Sequence, residues 1–398
     1  LGIAQKTAKP GRMKLYPSIK RELIASLSYL FYNQTSATQV VRYTFKKNTK
    51  WGSKDRRTYS EIFFDIVRYW GGFSDVLGKD LIHSKDLEDE DFEEMIDFYL
   101  EEDSLDKLKS SKLEDIVHED LLIEVKKSFN NQELTGKYLS RLLVSPYVFL
   151  RTNQSKITTQ KLVDQLIDEG IDAEIVSGGC IKLLKRQNVL QTEPYKKGLF
   201  EIQDGASQDV APFLEADGAS RVADTCAGAG GKSLHLSDLM NGKGRILALD
   251  ISERRLEELK KRSKRSGFQN IETRVIKNNK TLKRLGESFD RVLIDAPCSG
   301  TGTFRRKPAG KLHFRKSKLQ EYLATQKEIL DLHSKLVKVD GLLVYATCSI
   351  LKSENEEQIE SFLERNPSFE LVESHTNFMG DREFDGFFMS KLKRTSHS

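Results

Sequence analysis

Apolar residues recur at helical spacing in the first third of the chain, at Leu23, Ile24, Leu27, Leu30 and Phe31 and again at Ile62, Phe63, Ile66, Val67 and Trp70. That periodicity predicts an all-helical N-terminal domain over residues 1–135. Phe92, Met95, Ile96 and Tyr99 continue it through residues 83–130, a stretch with few turn residues that reads as a solvated helical extension of the same domain. Past Gly136 the pattern changes. Residues 147–150 are strand-like, 159–169 are helical with Gly170 as the stop, and 173–176 and 180–184 are short β-like runs, so 136–198 reads as a small α+β segment. From about Leu199 onward, aliphatic runs at 221–225, 245–250, 273–276, 291–295 and 342–346 are mostly separated by helical patterns at 234–240, 254–266, 318–339 and 356–365. Strands alternating with helices predict an α/β domain over 199–398, a parallel sheet covered on both faces. Ligands of such sheets sit beyond the carboxyl ends of the strands.

The chain of 398 residues is 38% hydrophobic, enough for proper cores. No apolar stretch approaches the roughly 20 residues of a membrane-spanning helix, which predicts a soluble, membrane-free protein. Residues 1–20 hold no apolar run followed by a small-residue cleavage site, so no secretory signal is expected, and a start at Leu1 is consistent with a lost initiator Met. Cys180, Cys226, Cys298 and Cys348 match neither a disulfide scaffold nor paired zinc-site spacing and predict reduced, cytoplasmic thiols. The seven histidines show no ligand-like clustering, so no metal is expected. The net charge of +5 is unevenly distributed: residues 83–130 hold 17 Asp and Glu against 6 Lys, which leaves the rest strongly basic. Such a balance suits a polyanion such as nucleic acid.

The run at 221–225 leads into Cys226, Ala227, Gly228, Ala229, Gly230, Gly231, Lys232 and Ser233, a strand, a glycine-rich turn and a helix start. Glycines there let the backbone approach a ligand at a helix N-terminus. A Walker phosphate loop would need Gly where Cys226 stands, so the Lys232-Ser233 ending does not make an NTPase. Asp250 closes the second strand 22 residues after Gly228, where an acidic side chain accepts from ribose hydroxyls, although it could also merely begin a helix. Two further strand ends run into Asp295-Ala296-Pro297-Cys298-Ser299-Gly300 and Ala346-Thr347-Cys348-Ser349, which places two thiols and an acid toward the same crevice.

On these motifs the sequence resembles the Sun-type RNA (cytosine-5) methyltransferases, including the bacterial enzymes that modify small-subunit ribosomal RNA. Phe200-Glu201-Ile202-Gln203-Asp204 with Ser207, Glu354-Asn355-Glu356 and Gly386-Phe387-Phe388 also carry the resemblance, which covers roughly residues 137–394. The N-terminal region looks loosely like the helical NusB-like domain of some members. The resemblance implies a Rossmann-like class I domain dependent on S-adenosylmethionine, with the α+β segment binding RNA. It implies Cys348 as the nucleophile toward carbon 6 of cytosine and Cys298 as the thiol that assists loss of the carbon 5 proton and enzyme release. Asp295 would bond the edge formed by nitrogen 3 and the exocyclic amine, with Lys232 helping to hold it. Cys226 to Lys232 would face the methionine part of the cofactor and Asp250 its ribose. Asn278 would border the adenine in place of the usual Asp, in Val275-Ile276-Lys277-Asn278-Asn279, with Asn279 left open as the alternative. The first loop departs from the family pattern by lacking a proline after its alanines.

Residues 301–318 hold Arg305, Arg306, Lys307, Lys311, Arg315, Lys316 and Lys318, interrupted by Phe304 and Phe314, and no acid. Cations interleaved with aromatics suit a single-stranded RNA path, a solvated loop being the plain alternative. Arg151 and Asn153 offer a second RNA surface. The expected partner is ribosomal RNA, with transfer RNA as the alternative, and the expected state is a monomer. Two other readings are a DNA cytosine methyltransferase that uses Cys298, and an RNA-binding or ribosome-assembly factor with weak or no turnover.

Overall fold

The structure, a computed structural model, describes residues 15–84 and 86–397; most of the stretch read for a leader lies outside them. The chain divides into two compact units, one holding the residues up to 145 together with Phe304–Lys316, the other Pro146–Thr303 together with Ser317–Ser398. Of the segment expected at 136–198, the part from 146 onward shares its unit with the large sheet.

The first unit is helical, with helices Pro17–Asn33, Ala37–Lys47, Ser53–Leu77, Asp89–Tyr99, Glu119–Phe129 and Gln132–Leu142 as its main elements. Three starts carry side-chain caps: Ser36 accepts from the Gln39 amide, His118 from that of Asp120 and Asn131 from that of Leu134. Leu23, Leu27, Ile62, Phe63, Ile66, Trp70 and Phe73 bury one face each of their helices in a common core. The acidic block is part of that core rather than an appendage, because Phe92, Met95 and Ile96 enter it while the acids of the same helix face water. Gly71, in the middle of the longest helix, permits a close approach: a Cβ there would lie 2.2 Å from the Asp115 carbonyl oxygen.

The basic segment Phe304–Lys316 is folded into this unit, which corrects the reading of Arg305 and Lys311 as RNA contacts. Arg68 donates to the Arg305 carbonyl at 2.6 Å, Lys311 donates to the Arg68 carbonyl, and the His118 amide donates to the Lys311 carbonyl at 3.0 Å. Ala309 and Leu312 join the helical core, and Phe304 and Phe314 are buried. Arg305 is 2% exposed and Lys311 fully buried, so neither side chain faces a strand of RNA. Burial, with Arg68 nearby, brings the Lys311 ammonium down to about 7. Arg306 and Arg315 are half-buried and Lys307 is exposed.

In the second unit β1 (Val148–Thr152), β2 (Ala173–Ser177), β3 (Cys180–Leu183) and β4 (Phe200–Ile202) form an antiparallel sheet of order β2-β3-β1-β4, with helix Thr159–Asp168 against it. The larger sheet contains β5 (Arg221–Asp224), β6 (Arg245–Asp250), β7 (Ile271–Val275), β8 (Phe289–Asp295), β9 (Val337–Thr347), β10 (Phe369–Asn377) and β11 (Phe387–Arg394). Its order is β10-β11-β9-β8-β5-β6-β7, with β5 to β9 parallel and β10 and β11 an antiparallel hairpin on the β9 side. The Rossmann-like expectation holds, and chain order reverses between β5 and β8, where such sheets bind ligands.

Two sequence expectations are corrected here. The helix expected over 318–339 is Lys316–His333, and β9 already begins at Val337, with Asp340 at φ +63° beside Gly341. The hairpin β10–β11 carried no strand signal, because β10 is exposed along most of its length and β11 buries charges. Lys391 is satisfied there by Glu215 and Glu373, and Arg394 by the Val337 carbonyl and Glu287.

Gly71→Ala is expected to lower stability by about 1–3 kcal/mol through overpacking. Thermal unfolding followed by circular dichroism reads this, and an unchanged midpoint would contradict the close approach.

Candidate active site

Five parallel strands end on one side of the large sheet, and the loops leaving β5, β6, β8 and β9 carry the chemistry. After β5 the chain turns through Cys226–Gly230 into helix Gly231–Leu239. The turn is tied to its neighbour at two points: the Gly228 amide donates to Asp250 Oδ2 at 2.8 Å and the Ala227 amide to the Leu249 carbonyl at 2.9 Å. Asp250 Oδ1 accepts from the Ser252 amide at 2.7 Å, just ahead of the next helix. Asp250 thus braces the glycine loop, and each carboxylate oxygen keeps a second lone pair for a ligand hydroxyl. Gly228 has φ +54°, and a Cβ at Gly228 or Gly231 would enter open space rather than protein. Ile251, directly after Asp250, is 80% exposed. Glycine-lined space, a paired acid and an exposed flat aliphatic side chain make a cradle for a nucleoside.

Behind this loop lies buried charge. Asp224, at the end of β5, accepts from the Ser233 hydroxyl at 2.6 Å, while its Oδ1 has no partner. Burial, reinforced by Asp295, pushes its carboxyl up to about 7. Arg151, expected on an RNA surface, is instead 3% exposed and donates to Gln203 and, at 2.7 Å, to the Gly231 carbonyl. It therefore holds the start of the glycine-loop helix. Asn153 is likewise buried, donating to the carbonyls of Gly198 and Ser266. Burial pushes the Cys226 thiol up, which keeps it a neutral packing group beside the turn.

The strands β8 and β9 are parallel neighbours, with Asp295 in register with Ala346. Their loops bring Cys298 Sγ to 3.4 Å from Cys348 Sγ. Hydrogen bonding to Cys348, then burial, raises the Cys298 thiol well above its usual range, and either sulfur can donate to the other. Asp295 Oδ2 accepts from Lys232 Nζ at 2.7 Å, and the same ammonium lies 5.0 Å from the Phe387 ring centroid. The loop from β5 and the end of β8 thus meet through an ion pair.

Glu354 organises the two thiol loops, a role the sequence did not reveal although its motif was noted. The fully buried carboxylate accepts from the Ser299 amide at 2.8 Å, from the Ser299 and Ser349 hydroxyls at 2.5 Å each, and from Gln326 Nε2 at 3.0 Å. Gln326 also bonds the Pro297 carbonyl, and Thr347 and the Ser349 carbonyl are tied to Asn355. At the end of β7, Asn278 is exposed and its carbonyl oxygen accepts from the Lys280 amide as a helix cap, so any adenine contact must share that oxygen. Among the described residues no group of three or more His, Cys, Asp or Glu is placed to hold a metal ion.

Glu354→Gln is expected to cost about 1–3 kcal/mol in denaturant unfolding, since an amide turns a donor toward donors; it should also change the alkylation rates of Cys298 and Cys348. Wild-type stability and thiol reactivity would remove Glu354 from this role. The Asp224 carboxyl ionises more easily in the unfolded chain than in the folded one, so its contribution to stability falls as pH rises from about 4 to about 7 and is flat above. The unfolding free energy of Asp224→Asn relative to the parent should therefore rise over that window; a constant difference would count against a protonated Asp224.

Comparison with known proteins follows the geometry. Residues 211–393 match the family model described as 16S rRNA methyltransferase RsmB/F. A protein of Bacillus subtilis (strain 168) called probable ribosomal RNA small subunit methyltransferase B is 34% identical over 272 residues, 63% of this chain and 61% of its own length. Ribosomal RNA small subunit methyltransferase B of Pasteurella multocida (strain Pm70) is 34% identical over 268 residues, 63% of this chain and 59% of its own. The chain thus spans less than two thirds of these relatives. The crystal structure of PH0851 covers 96% of this chain and 100% of its own with a TM-score of 0.79 at 22% identity. That of NSun6 from Pyrococcus horikoshii with SFG covers 70% of this chain and 99% of its own with a TM-score of 0.64 at 19% identity, and both show the fold. Residues 211–393 thus match a methyltransferase domain of the RsmB/F type, in agreement with the resemblance to the Sun-type family.

Proposed function

We propose that this protein methylates carbon 5 of a cytosine in RNA, small-subunit ribosomal RNA, using S-adenosylmethionine. The observation that carries the reading is the pair of thiols 3.4 Å apart beside the Lys232–Asp295 ion pair. The RsmB/F match and relatives named for small-subunit ribosomal RNA support the RNA class. In this reading the protein works in the cytoplasm as a monomer, with RNA as its partner. No helix among the described residues is long and apolar enough to cross a membrane.

Bound in this cradle, S-adenosylmethionine would have Cys226 to Lys232 beside its methionine part, Asp250 at the ribose, and Ile251 and Asn278 bordering the adenine. When bound, it supplies an electrophilic methyl group. The Cys348 proton passes to solvent, and the Cys348 thiolate adds to carbon 6 of the cytosine. Lys232, through its pair with Asp295, delivers a proton to nitrogen 3, where the attack pushes charge, and Asp295 bonds the exocyclic amine. Carbon 5, now an enamine carbon, accepts the methyl group. The carbon 5 proton then passes to Cys298 as Cys298 returns its own to the Cys348 sulfur, the bond from sulfur to carbon 6 breaks, and the nitrogen 3 proton goes back. The target base must leave any stack before the thiol can reach it.

The test is transfer of labelled methyl to small-subunit ribosomal RNA, with detection of any RNA adduct that survives denaturation. Cys348→Ala should lose methylation and adduct, and Cys298→Ala should accumulate adduct. Methylation that persists without Cys348 and vanishes without Cys298 would reverse the two roles.

A further inference from the structure

Arg305, Lys311 and Arg151, three of the cations expected to meet RNA, are buried and do not face water. Another surface of the helical unit has the required composition. Between Arg42 and Arg57 the chain holds seven Lys and Arg and a single acid, Asp55. On helix Ala37–Lys47 the residues Ala37, Val40, Val41 and Thr44 face the core, so Gln39, Arg42, Tyr43 and Lys46, at i, i+3, i+4 and i+7, form the outer stripe. Tyr43 is 67% exposed and stacks on Tyr29 of the preceding helix, itself 50% exposed, with ring centroids 6.4 Å apart and planes 12° off parallel. Arg21, two helical turns before Tyr29, is exposed on the same face. Arg56 lies over the Phe45 ring, and Trp51 packs against it, which brings the start of helix Ser53–Leu77 with exposed Lys54 and Arg57 beside the end of helix Ala37–Lys47.

These cations differ from their neighbours in one respect. Several other lysines of the unit are paired: Lys20 with Glu93 and Asp97, Lys79 with Asp91 and Glu94, and Lys126 with Glu114, and within the patch Lys47 pairs with Glu22. Arg21, Arg42, Lys46, Lys50, Lys54 and Arg57 make no ion pair among the described residues. An exposed, pre-stacked aromatic pair amid uncompensated cations joins the two requirements of single-strand binding, a platform for bases and charges for the backbone. We propose that this face of the helical unit binds a single-stranded segment of the substrate RNA, with a base stacked on the Tyr29–Tyr43 pair and phosphates met by Arg42, Lys46 and their neighbours. An acidic protein partner would use the charges but leaves the parallel tyrosine pair unexplained.

The inference rests on RNA being the substrate. Its test uses the full chain and a fluorescein-labelled, mixed-sequence single-stranded oligoribonucleotide, with binding read by anisotropy over a salt series. The double variant Arg42→Glu with Lys46→Glu should weaken binding more than tenfold and flatten the log–log salt slope by about 1.4, at ~0.7 per lost phosphate contact. Tyr43→Ala should weaken it about tenfold. Lys260→Glu, an exposed charge reversal on the other unit, serves as the control, and S-adenosylmethionine binding should be unchanged in all three. RNA affinity equal to the parent's, or lowered only as far as in the control, overturns the proposal and assigns the patch to a protein partner. Catalytic failure stays separable: a protein that binds RNA through this face yet transfers no methyl leaves the surface standing and removes the proposed reaction.

Discussion

The chemistry of this protein depends on β8 and β9 lying side by side and parallel. Parallel neighbours deliver their carboxyl ends to the same place, so two cysteines 50 residues apart in sequence meet at 3.4 Å. Strand pairing alone sets the loops only roughly, and the fine placement comes from Glu354. A carboxylate with no exposure must have its lone pairs satisfied, and here the donors come from the loop after β8, from the loop after β9 and from helix Lys316–His333. Losing any of these donors leaves a buried charge short of partners, which makes the arrangement stiff.

Charge is handled differently on the nucleotide side of the cleft. Asp250 is satisfied by backbone amides and braces the glycine loop from the neighbouring strand. Asp224 meets one hydroxyl, and burial pushes its carboxyl up to about 7. Arg151 keeps its charge behind the start of helix Gly231–Leu239, although burial lowers its guanidinium to about 10. Lys232 and Asp295 form an ion pair with access to the cleft, which suits a place where a reaction would need to move a proton.

The helical unit uses its charges in yet another way. Phe304–Lys316 follows the Cys298 loop in sequence and packs into the helical unit, where Lys311 donates to the Arg68 carbonyl and Arg68 to the Arg305 carbonyl. The acidic helix Asp89–Tyr99 neutralises nearby lysines and buries its apolar stripe. What is left over is the basic face around Arg42 and Tyr43.

Much was legible in the chain by itself. The β5 to β9 pattern, the glycine turn, Asp250 and the two cysteine motifs are local signals, because a buried parallel strand needs a continuous aliphatic run and a close-approach turn needs glycine at fixed offsets. The β10–β11 hairpin was not legible, since Lys391 and Arg394 enter the sheet only because distant carboxylates and a carbonyl meet them. The solvent exposure of a cation was equally hidden: Arg151, Arg305 and Lys311 read as surface residues in sequence, and only packing against Gln203, Arg68 and the helical core takes them from water. Sequence determined which residues stand at the strand ends, through local backbone and hydrophobic rules. Tertiary structure decided which charges are spent inside and which are left to meet a ligand, because burial and pairing are set by residues far away in the chain.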